Sequence, residues 1–596
     1  MSDVQAPSGP PVAGDVSDSS SITPADYKKI AAAMGKPEGI DFRYGPASTI
    51  GDEGLSKYHQ PSSKPLGSIP QNPTGFGSWQ VGGPYSSNGG PYYSNMANTA
   101  FVADNPAQHL GVSVFQAVAA GNNIFMQRPQ ISWIYQDGIN DPNVSGYKQA
   151  GLDVGNPVAL GRCAGRPGWC VESIVAFQNG LIGTARGSNT ALNASTAQLE
   201  SGLVPTAVAL TNSGEFALVT VWDPANLRAR VAVIALASLC NNCTPAEPAK
   251  EPFWGDWRAA YPGLPNLGNY AFMKVIGYVD LPDMKAPTEI SVTTGWNPWT
   301  NRTSPDPVDL TLSDEGKRQT FITGVNKDKM PKAGVAVVIS KSEKKATFID
   351  LKPLFAYYNR MYFGNRADFD KTAAVGLAAN QWPFPFSAAP EQMPTVIKTV
   401  GFNARPTAVK TSRGTPTAPD RHAGRPAHIY ALGNYLSGGA ASPDGIVETG
   451  VAVGKNPTGL AYSRQTVHDS GNNDINTKLI VVSRAERKVQ WVDFSADLNS
   501  GTIVRTLQDA NLRDPIAADD NEANGSSAPV LTLSDYNGRA ISNYRYGPLV
   551  LNPGFAACQG TSCPTVNESG GPAPFEHGGS LQLPGKPFAV TGANVP

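Results

Sequence analysis

Leu479-Ile-Val-Val-Ser-Arg-Ala-Glu-Arg-Lys-Val-Gln-Trp-Val-Asp-Phe494 aligns without a gap with Ala336-Val-Val-Ile-Ser-Lys-Ser-Glu-Lys-Lys-Ala-Thr-Phe-Ile-Asp-Leu351. Each copy reads as an apolar strand, a charged turn and a second apolar strand ending in Asp. Runs of β-branched and aromatic residues bounded by polar clusters are strand signals. A looser third copy, Ala217-Leu-Val-Thr-Val-Trp-Asp-Pro-Ala-Asn-Leu-Arg-Ala-Arg-Val-Ala-Val-Ile-Ala-Leu236, keeps the same rhythm. Recurrence of one hairpin along a chain marks an array of a single supersecondary unit.

Upstream of such hairpins a proline-led element recurs as Leu203-Val-Pro-Thr-Ala-Val-Ala-Leu210, Val400-Gly-Phe-Asn-Ala-Arg-Pro-Thr-Ala-Val409, Val453-Gly-Lys-Asn-Pro-Thr-Gly-Leu-Ala461 and Leu583-Pro-Gly-Lys-Pro-Phe-Ala-Val590. Proline at the first residue of a strand removes no ladder bond. Pro406 and Pro457 stand about one blade length apart, a four-stranded propeller blade taking ~40–50 residues. Over about residues 150–596 these elements resemble the YVTN-type β-propeller repeat, in which a V-G-x-x-P leading strand runs into a hairpin closing on V-x-V-I-D. The resemblance implies a secreted, periplasmic or cell-surface protein, since family members are found there, and many members are binding or structural modules. Related propellers include lactonases and quinoprotein dehydrogenases, so fold transfers further than function.

The expected architecture is all-β: a single β-propeller of about seven four-stranded blades with long loop insertions, plus an irregular N-terminal arm. Blades are expected near 110–190, 203–236, 276–323, 335–351 with its preceding strands, 396–436, 451–494 and 503–546. Residues 580–592 begin a strand with too little chain after it to complete a blade. An open sheet edge is an aggregation liability that closed architectures avoid. The missing strands are therefore expected from Gly111-Val-Ser-Val-Phe-Gln-Ala-Val-Ala119 and Asn123-Ile-Phe-Met-Gln-Arg-Pro-Gln-Ile-Ser-Trp-Ile-Tyr135, closing the ring by pairing of N- and C-terminal strands.

Composition agrees with a turn-rich β protein. Gly 61 and Pro 51 make almost a fifth of the 596 residues, and charged residues are 16%. The formal net charge of −1 provides no global field for nucleic acid or anionic membrane, so neither is an expected partner. No stretch reaches the ~20 apolar residues of a membrane span. Residues 1–22, rich in Ser, Gly, Pro and Asp, read as a flexible tether. Residues 23–105 read as a helix at Thr23–Met34, with a capping Thr and a Pro at its first position, followed by a Gly/Pro/Tyr-rich arm expected to dock on the propeller or on a partner. The propeller domain is expected over 106–596.

Six cysteines fall in three close pairs, Cys163 with Cys170, Cys240 with Cys243, and Cys558 with Cys563. Only the middle pair has zinc-knuckle spacing, with no His near it, and it follows a strand rather than opening a thioredoxin-type helix. Local disulfides in turns fit best and point to periplasm, cell surface or medium. The N-terminus shows no secretory signal, so either a leader has been removed or the compartment is a different one. Six reduced thiols in the cytosol are the alternative.

No GxSxG elbow, CxxCH haem motif or phosphate-binding loop occurs, and no cofactor is predicted. Calcium alone has modest support, from acidic turns containing Asp469, Asp474, Asp519, Asp520 and Glu522, although neither turn reproduces a twelve-residue calcium loop and both read better as solvated turns. Arg421, His422, Arg425 and His428 form a basic loop able to face an anionic ligand, or simply to bond the backbone. Trp296 and Trp299, with Trp254, Trp257 and the segment Gln381-Trp-Pro-Phe-Pro-Phe386, read either as docking aromatics for protein or glycan or as plugs over sheet ends. The function expected is binding or assembly, through the arm and aromatic loops, rather than catalysis. The competing reading is a propeller enzyme, lactonase-like or quinoprotein-like, using the central funnel.

Overall fold

Where the chain alternates Val, Ile, Leu and Thr with short polar turns, it forms strands, and the strand pairs among the described residues are antiparallel. The computed structural model describes residues 98–102, 111–119, 124–131, 157–162, 172–186, 197–238, 261–265, 270–294, 312–327, 330–411, 421–423, 428–431, 447–462, 478–494, 500–521, 526–527, 530–538, 540–545, 550–551, 575–582 and 587–591. Strands β1 (Asn98–Val102), β2 (Gly111–Ala119) and β3 (Ile124–Ile131) form the first sheet, together with a strand from the far end of the chain. The second sheet is β4 (Pro157–Arg162), β5 (Glu172–Phe177), β6 (Leu181–Arg186) and β7 (Ala197–Gln198). The third is β8 (Val204–Leu210), β9 (Phe216–Asp223), β10 (Arg228–Ser238) and β11 (Tyr270–Leu281), and the fourth is β12 (Glu289–Thr293), β13 (Val335–Ser340), β14 (Lys345–Asp350) and β15 (Thr395–Gly401). Next come β16 (Lys410–Thr411), β17 (Arg421–Ala423), β18 (His428–Ala431) and β19 (Val447–Gly450), then β20 (Pro457–Tyr462), β21 (Leu479–Ser483), β22 (Lys488–Phe494) and β23 (Gly501–Gln508). In the seventh sheet β24 (Pro515–Asn521) leads, and a small pair, β25 (Ser526–Ser527) with β28 (Val550–Leu551), flanks the remaining strands β26 (Val530–Asp535), β27 (Ala540–Arg545) and β29 (Glu576–Gln582). The final strand β30 (Pro587–Thr591) pairs with β1. Each four-stranded sheet is an open meander, the unit of a β-propeller, and no sheet closes on itself among the described residues.

The leading strands neighbour one another in order. β4 lies against β8, β8 against β12, β12 against β16, β16 against β20, β20 against β24, β24 against β30, and β30 against β4. Pro157, Pro457, Pro515 and Pro587 open β4, β20, β24 and β30, and Pro205 is the second residue of β8. The ladder register shifts at each of these prolines, so the missing N–H falls where pairing is already irregular. The corresponding segment 402–409 differs from expectation. It carries no strand until Lys410, and its Val409 N–H donates instead to Glu289 Oε1 at 3.1 Å.

The aligned hairpins are the central strand pairs of the third, fourth and sixth sheets. Asp223 pairs with Arg228, Ser340 with Lys345 and Ser483 with Lys488, leaving a four-residue turn in each. The last turn residue is left-handed in all three: Leu227 at φ 50°, Lys344 at 57° and Arg487 at 50°. The charged turns link neighbouring sheets. Glu343 Oε2 accepts from the N–H groups of Lys285 and Ala286 at 2.8 Å each, between the third and fourth sheets. Arg484 grips Asp514 through Nε and Nη2 at 2.5 and 2.7 Å, and Asp535 accepts from the Arg513 and Asp514 N–H groups.

Several boundaries differ from the sequence reading: the expected unit 110–190 is divided between the first and second sheets, the units expected at 276–323 and 335–351 share the fourth sheet through Glu289–Thr293, and Gly501–Gln508, expected to open the unit 503–546, is the fourth strand of the sixth sheet. Tyr270–Leu281, whose residues from 276 were expected in the unit after 203–236, is the fourth strand of that same sheet, and Thr395–Gly401, expected from 396 in the next unit, completes the sheet of Val335–Asp350. Residues 239–269 and 351–394 separate these outer strands from their partners, which hides the membership. Asn98–Val102 was expected in the arm but lies between β2 and β30. The helix at 23–34, the tether and nearly all of the arm lie outside the described residues.

Antiparallel meanders send their first–second and third–fourth connections to one end and the others to the opposite end. At one end are the short segments 178–180, 224–227, 341–344, 424–427, 484–487 and 536–539, with short sheet-to-sheet links and the longer 132–156. At the other are 163–171, 239–269, 294–334, 351–394, 432–446, 463–478 and 546–575. This second end carries the helices α1 (Glu315–Gln319), α2 (Lys352–Phe363) and α3 (Arg366–Asp370). One face of α2 buries Leu354, Phe355, Tyr358, Met361 and Tyr362 against residues of the third and fourth sheets, including Phe216, Leu218, Ile276 and Ile349. Gly263, at φ +81°, lies under this layer, and a Cβ there would meet the Tyr358 ring at 2.2 Å.

Candidate functional site

Of the basic and acidic residues singled out in the sequence, Arg421, His422, His428, Asp519 and Asp520 lie among the described residues. Arg421 and His422 lie on β17 and His428 on β18, in register Arg421 with Ala431, His422 with Tyr430 and His428 with Gly450. The expected basic loop is thus a central hairpin of the fifth sheet, with Arg425 in the connection outside the described residues. Hydrogen-bonded pairing of the flanking alternating residues overrides the loop reading. Within the expected acidic turn 514–522, the described residues Pro515–Asn521 form a strand. Asp519 and Asp520 hold consecutive positions of β24 and so belong to opposite faces, which separates them as ligands of one ion. Asp469, Asp474, Glu522, Trp296, Trp299 and all six cysteines lie outside the described residues. Among the described residues no group of three or more His, Cys, Asp or Glu is placed to hold a metal ion.

The segment Gln381–Phe386 packs. Trp382 is fully buried, with its ring 4.9 Å from Tyr358 and 5.4 Å from Tyr362, and its Nε1 donates to Tyr362 Oη at 2.6 Å. Tyr362 Oη in turn donates to the Pro262 carbonyl at 2.8 Å. Aromatic pairs at these separations prefer tilted and edge-to-face geometry, as found here. From β11, the buried Lys274 reaches the same insertion. Its Nζ donates to the carbonyls of Gly376, Ala378 and Gln381 at 2.9, 2.8 and 2.8 Å, which uses all three ammonium protons. Burial lowers its pKa to about 8.

Beside this layer lies the group with the most altered chemistry. Leu210 ends β8 and Phe216 begins β9, and between them Thr211-Asn-Ser-Gly-Glu215 forms a polar turn that is buried despite its composition. Thr211 Oγ1 accepts from the Phe216 N–H at 2.9 Å and donates to Glu215 Oε2 at 2.6 Å. The Ser213 N–H donates to the same oxygen at 3.1 Å. Thr211 is thereby committed to closing the turn and is not presented as a nucleophile. Glu215 Oε1 and Ser213 Oγ are buried and have no hydrogen-bond partner among the described residues. Burial pushes the Glu215 carboxyl up to about 7 against these donors. A carboxyl poised there can hold or release a proton near neutrality, the property required of a general acid or base.

The turn also joins two insertions. The Glu215 carbonyl accepts from the Leu236 N–H at 3.1 Å, and Leu236 O from the Gly263 N–H at 3.0 Å. Asn212 Oδ1 accepts from the Thr294 N–H at 3.3 Å. Sequence reasoning missed this site because Thr-Asn-Ser-Gly-Glu reads as an ordinary exposed turn. The one available signal was an acid heading the largely apolar strand-like run Phe216-Ala-Leu-Val-Thr-Val221.

No family model matches the chain, so the likeness to YVTN-type repeats rests on its motifs alone. No curated protein matches it either. Similar solved structures include a protein from Lactobacillus plantarum at 10% identity, over 84% of this chain and 99% of that chain, with a TM-score of 0.37. The periplasmic gluconolactonase of Pseudomonas aeruginosa is 10% identical, over 85% and 99% of the two chains, at 0.39. The WD40 domain of SCAP from fission yeast is 7% identical, over 63% and 60%, at 0.29. These likenesses concern the path of the chain and carry nothing about activity.

Proposed function

We propose that this chain is a seven-bladed β-propeller closed by its two ends, acting outside the reducing cytosol as a binding or assembly module for a protein or glycan. The observation carrying this reading is the unequal distribution of connections. Most of the long connections leave from one end of the sheets, where the described residues of the insertions 239–269 and 351–394 pack into an aromatic layer. Rigid scaffolds with long loops at one end are the usual layout of a recognition face. The pairs Cys163–Cys170, Cys240–Cys243 and Cys558–Cys563 fall in the connections 163–171, 239–269 and 546–575 of that end, as local bridges would.

Assembly is assigned to the N-terminal arm. Native mass spectrometry of the full chain is expected to give a larger complex than a chain lacking residues 1–97, which keeps β1. Equal masses, with no difference in partner capture, would remove the arm from the account.

A second reading is favoured by Glu215 alone: a propeller hydrolase in which this carboxyl serves as acid or base. Assayed with glucono-lactone, the full chain is expected to give no turnover above the spontaneous rate. Turnover that falls in Glu215→Gln would replace the binding reading with the enzymatic one.

A further inference from the structure

A charge on α1 is left without the partners its chemistry asks for. Asp314 caps this short helix, its side chain accepting from the Gly316 and Lys317 N–H groups, and the fourth helical residue is Arg318. Arg318 is 0% exposed. Its Nη2 pairs with Glu315 one turn earlier, and its Cζ lies 4.8 Å from the centroid of the Phe369 ring on α3. Nε and Nη1 are buried and find no acceptor among the described residues.

A guanidinium carries five N–H donors in a planar fork that matches the two oxygens of a carboxylate or phosphate. Glu315 engages only one of the three nitrogens. A buried charge with unmade hydrogen bonds is costly, and an apolar side chain of similar volume would fill the place without that cost. Packing alone therefore does not account for an arginine at 318.

The surroundings suit an incoming anion. Arg366, on α3, lies over the same Phe369 ring at 5.7 Å, pairs with Asp370 at 2.7 Å, and donates from Nη1 to the Ser313 carbonyl at 3.0 Å. Two guanidiniums thus flank one ring where residues 313–318 meet 366–370. The Glu315 side chain is 55% exposed, so the outer half of its ion pair is open to water and to a competitor. We propose that Arg318 is the receptor for an oxyanion, a carboxylate or phosphate group, which takes the guanidinium from Glu315 as the α1 segment opens.

The test is isothermal titration of the full-length chain with inorganic phosphate and, separately, with acetate, at constant ionic strength balanced by chloride. Glu315→Gln removes the internal competitor and is expected to bind roughly tenfold tighter than the parent, the scale of one charge-assisted hydrogen bond. Arg318→Lys keeps the charge, loses the fork and is expected to lose binding. Preference for phosphate over acetate, or the reverse, assigns the source. Equal affinity of parent and Glu315→Gln, retention of binding by Arg318→Lys, or no heat with either anion in Glu315→Gln would overturn the proposal. If Arg318→Lys does not fold, the comparison of parent with Glu315→Gln decides alone.

Discussion

Ala100 and Val590 are opposite one another in a single antiparallel sheet, β1 holding β2 on one side and β30 on the other. Thr99 with Thr591 and Phe101 with Ala589 extend the register, which shifts at Val102 where Pro587 enters. Both edges of β1 are therefore used, and neither is left as a template for pairing with another chain. β30 also lies against β24 and β4, so the last strand stands between the seventh and second sheets. In the closed ring proposed above, no terminal sheet would be free to peel.

The left-handed turn residues give a local test. Leu227 holds φ 50° while 62% exposed, so replacing it loses little burial. The left-handed conformation costs a non-glycine residue about 1–2 kcal/mol, most of which glycine avoids. Leu227→Gly is expected to leave stability unchanged or raise it slightly, and Leu227→Val, β-branched, to lower it by about 1 kcal/mol or more. Urea midpoints of the two variants check this, and a Val variant as stable as the Gly variant would refute the turn assignment.

Glu215 gives a pH test with a definite sign. Its folded pKa is about 7, above the ordinary 4.5, so the folded state binds the proton more tightly. The stability it contributes is fully present below about pH 4.5 and is lost as pH rises through 7. Burial also pushes Asp535, Glu289 and Asp350 upward, and they act in the same direction. The difference between parent and Glu215→Gln isolates one residue. Denaturation at pH 5 and pH 8 is expected to show a smaller loss of stability on the alkaline side in Glu215→Gln. Identical pH slopes would show that Glu215 does not titrate in this range.

Lys274 ties β11 to the insertion through three carbonyls. Lys274→Met keeps the length of the side chain but strands the Gly376, Ala378 and Gln381 carbonyls, at a cost of roughly 1.5–3 kcal/mol. The damage is expected to be local, seen as faster proteolysis within 372–386 before the sheets unfold. Unchanged cleavage there would deny the clamp its role.

The strands were legible where period-two patterning and β-branched residues agree, as in Ala336–Leu351 and Leu479–Phe494, whose gapless alignment also fixed the shared turn. Membership of the outer strands was not legible. Tyr270–Leu281 is a clear strand by composition, but no local signal says that it returns across 239–269 to pair with Arg228–Ser238. Asn98–Val102 is too short and too close to Gly/Pro-rich sequence to stand out. The altered groups were invisible for a different reason. Glu215, Lys274 and Arg318 are ordinary surface residue types, and their burial is decided by how the sheets and insertions fold over them. Of the aromatic segments, Gln381–Phe386 could be read only as surface or plug, and the structure makes it a plug.

Calorimetric melting of a chain ended after Pro584, compared with the parent, tests closure most directly. The truncation removes β30 and with it the ladder bonds to β1, each worth roughly 0.5–1.5 kcal/mol net, and exposes edges on the first sheet and beside β24 and β4. The account predicts a lower Tm and a broader, less cooperative transition for the truncated chain, with no change on removing residues 1–22 instead. A truncated chain that melts at the same temperature and with the same sharpness as the parent would contradict it.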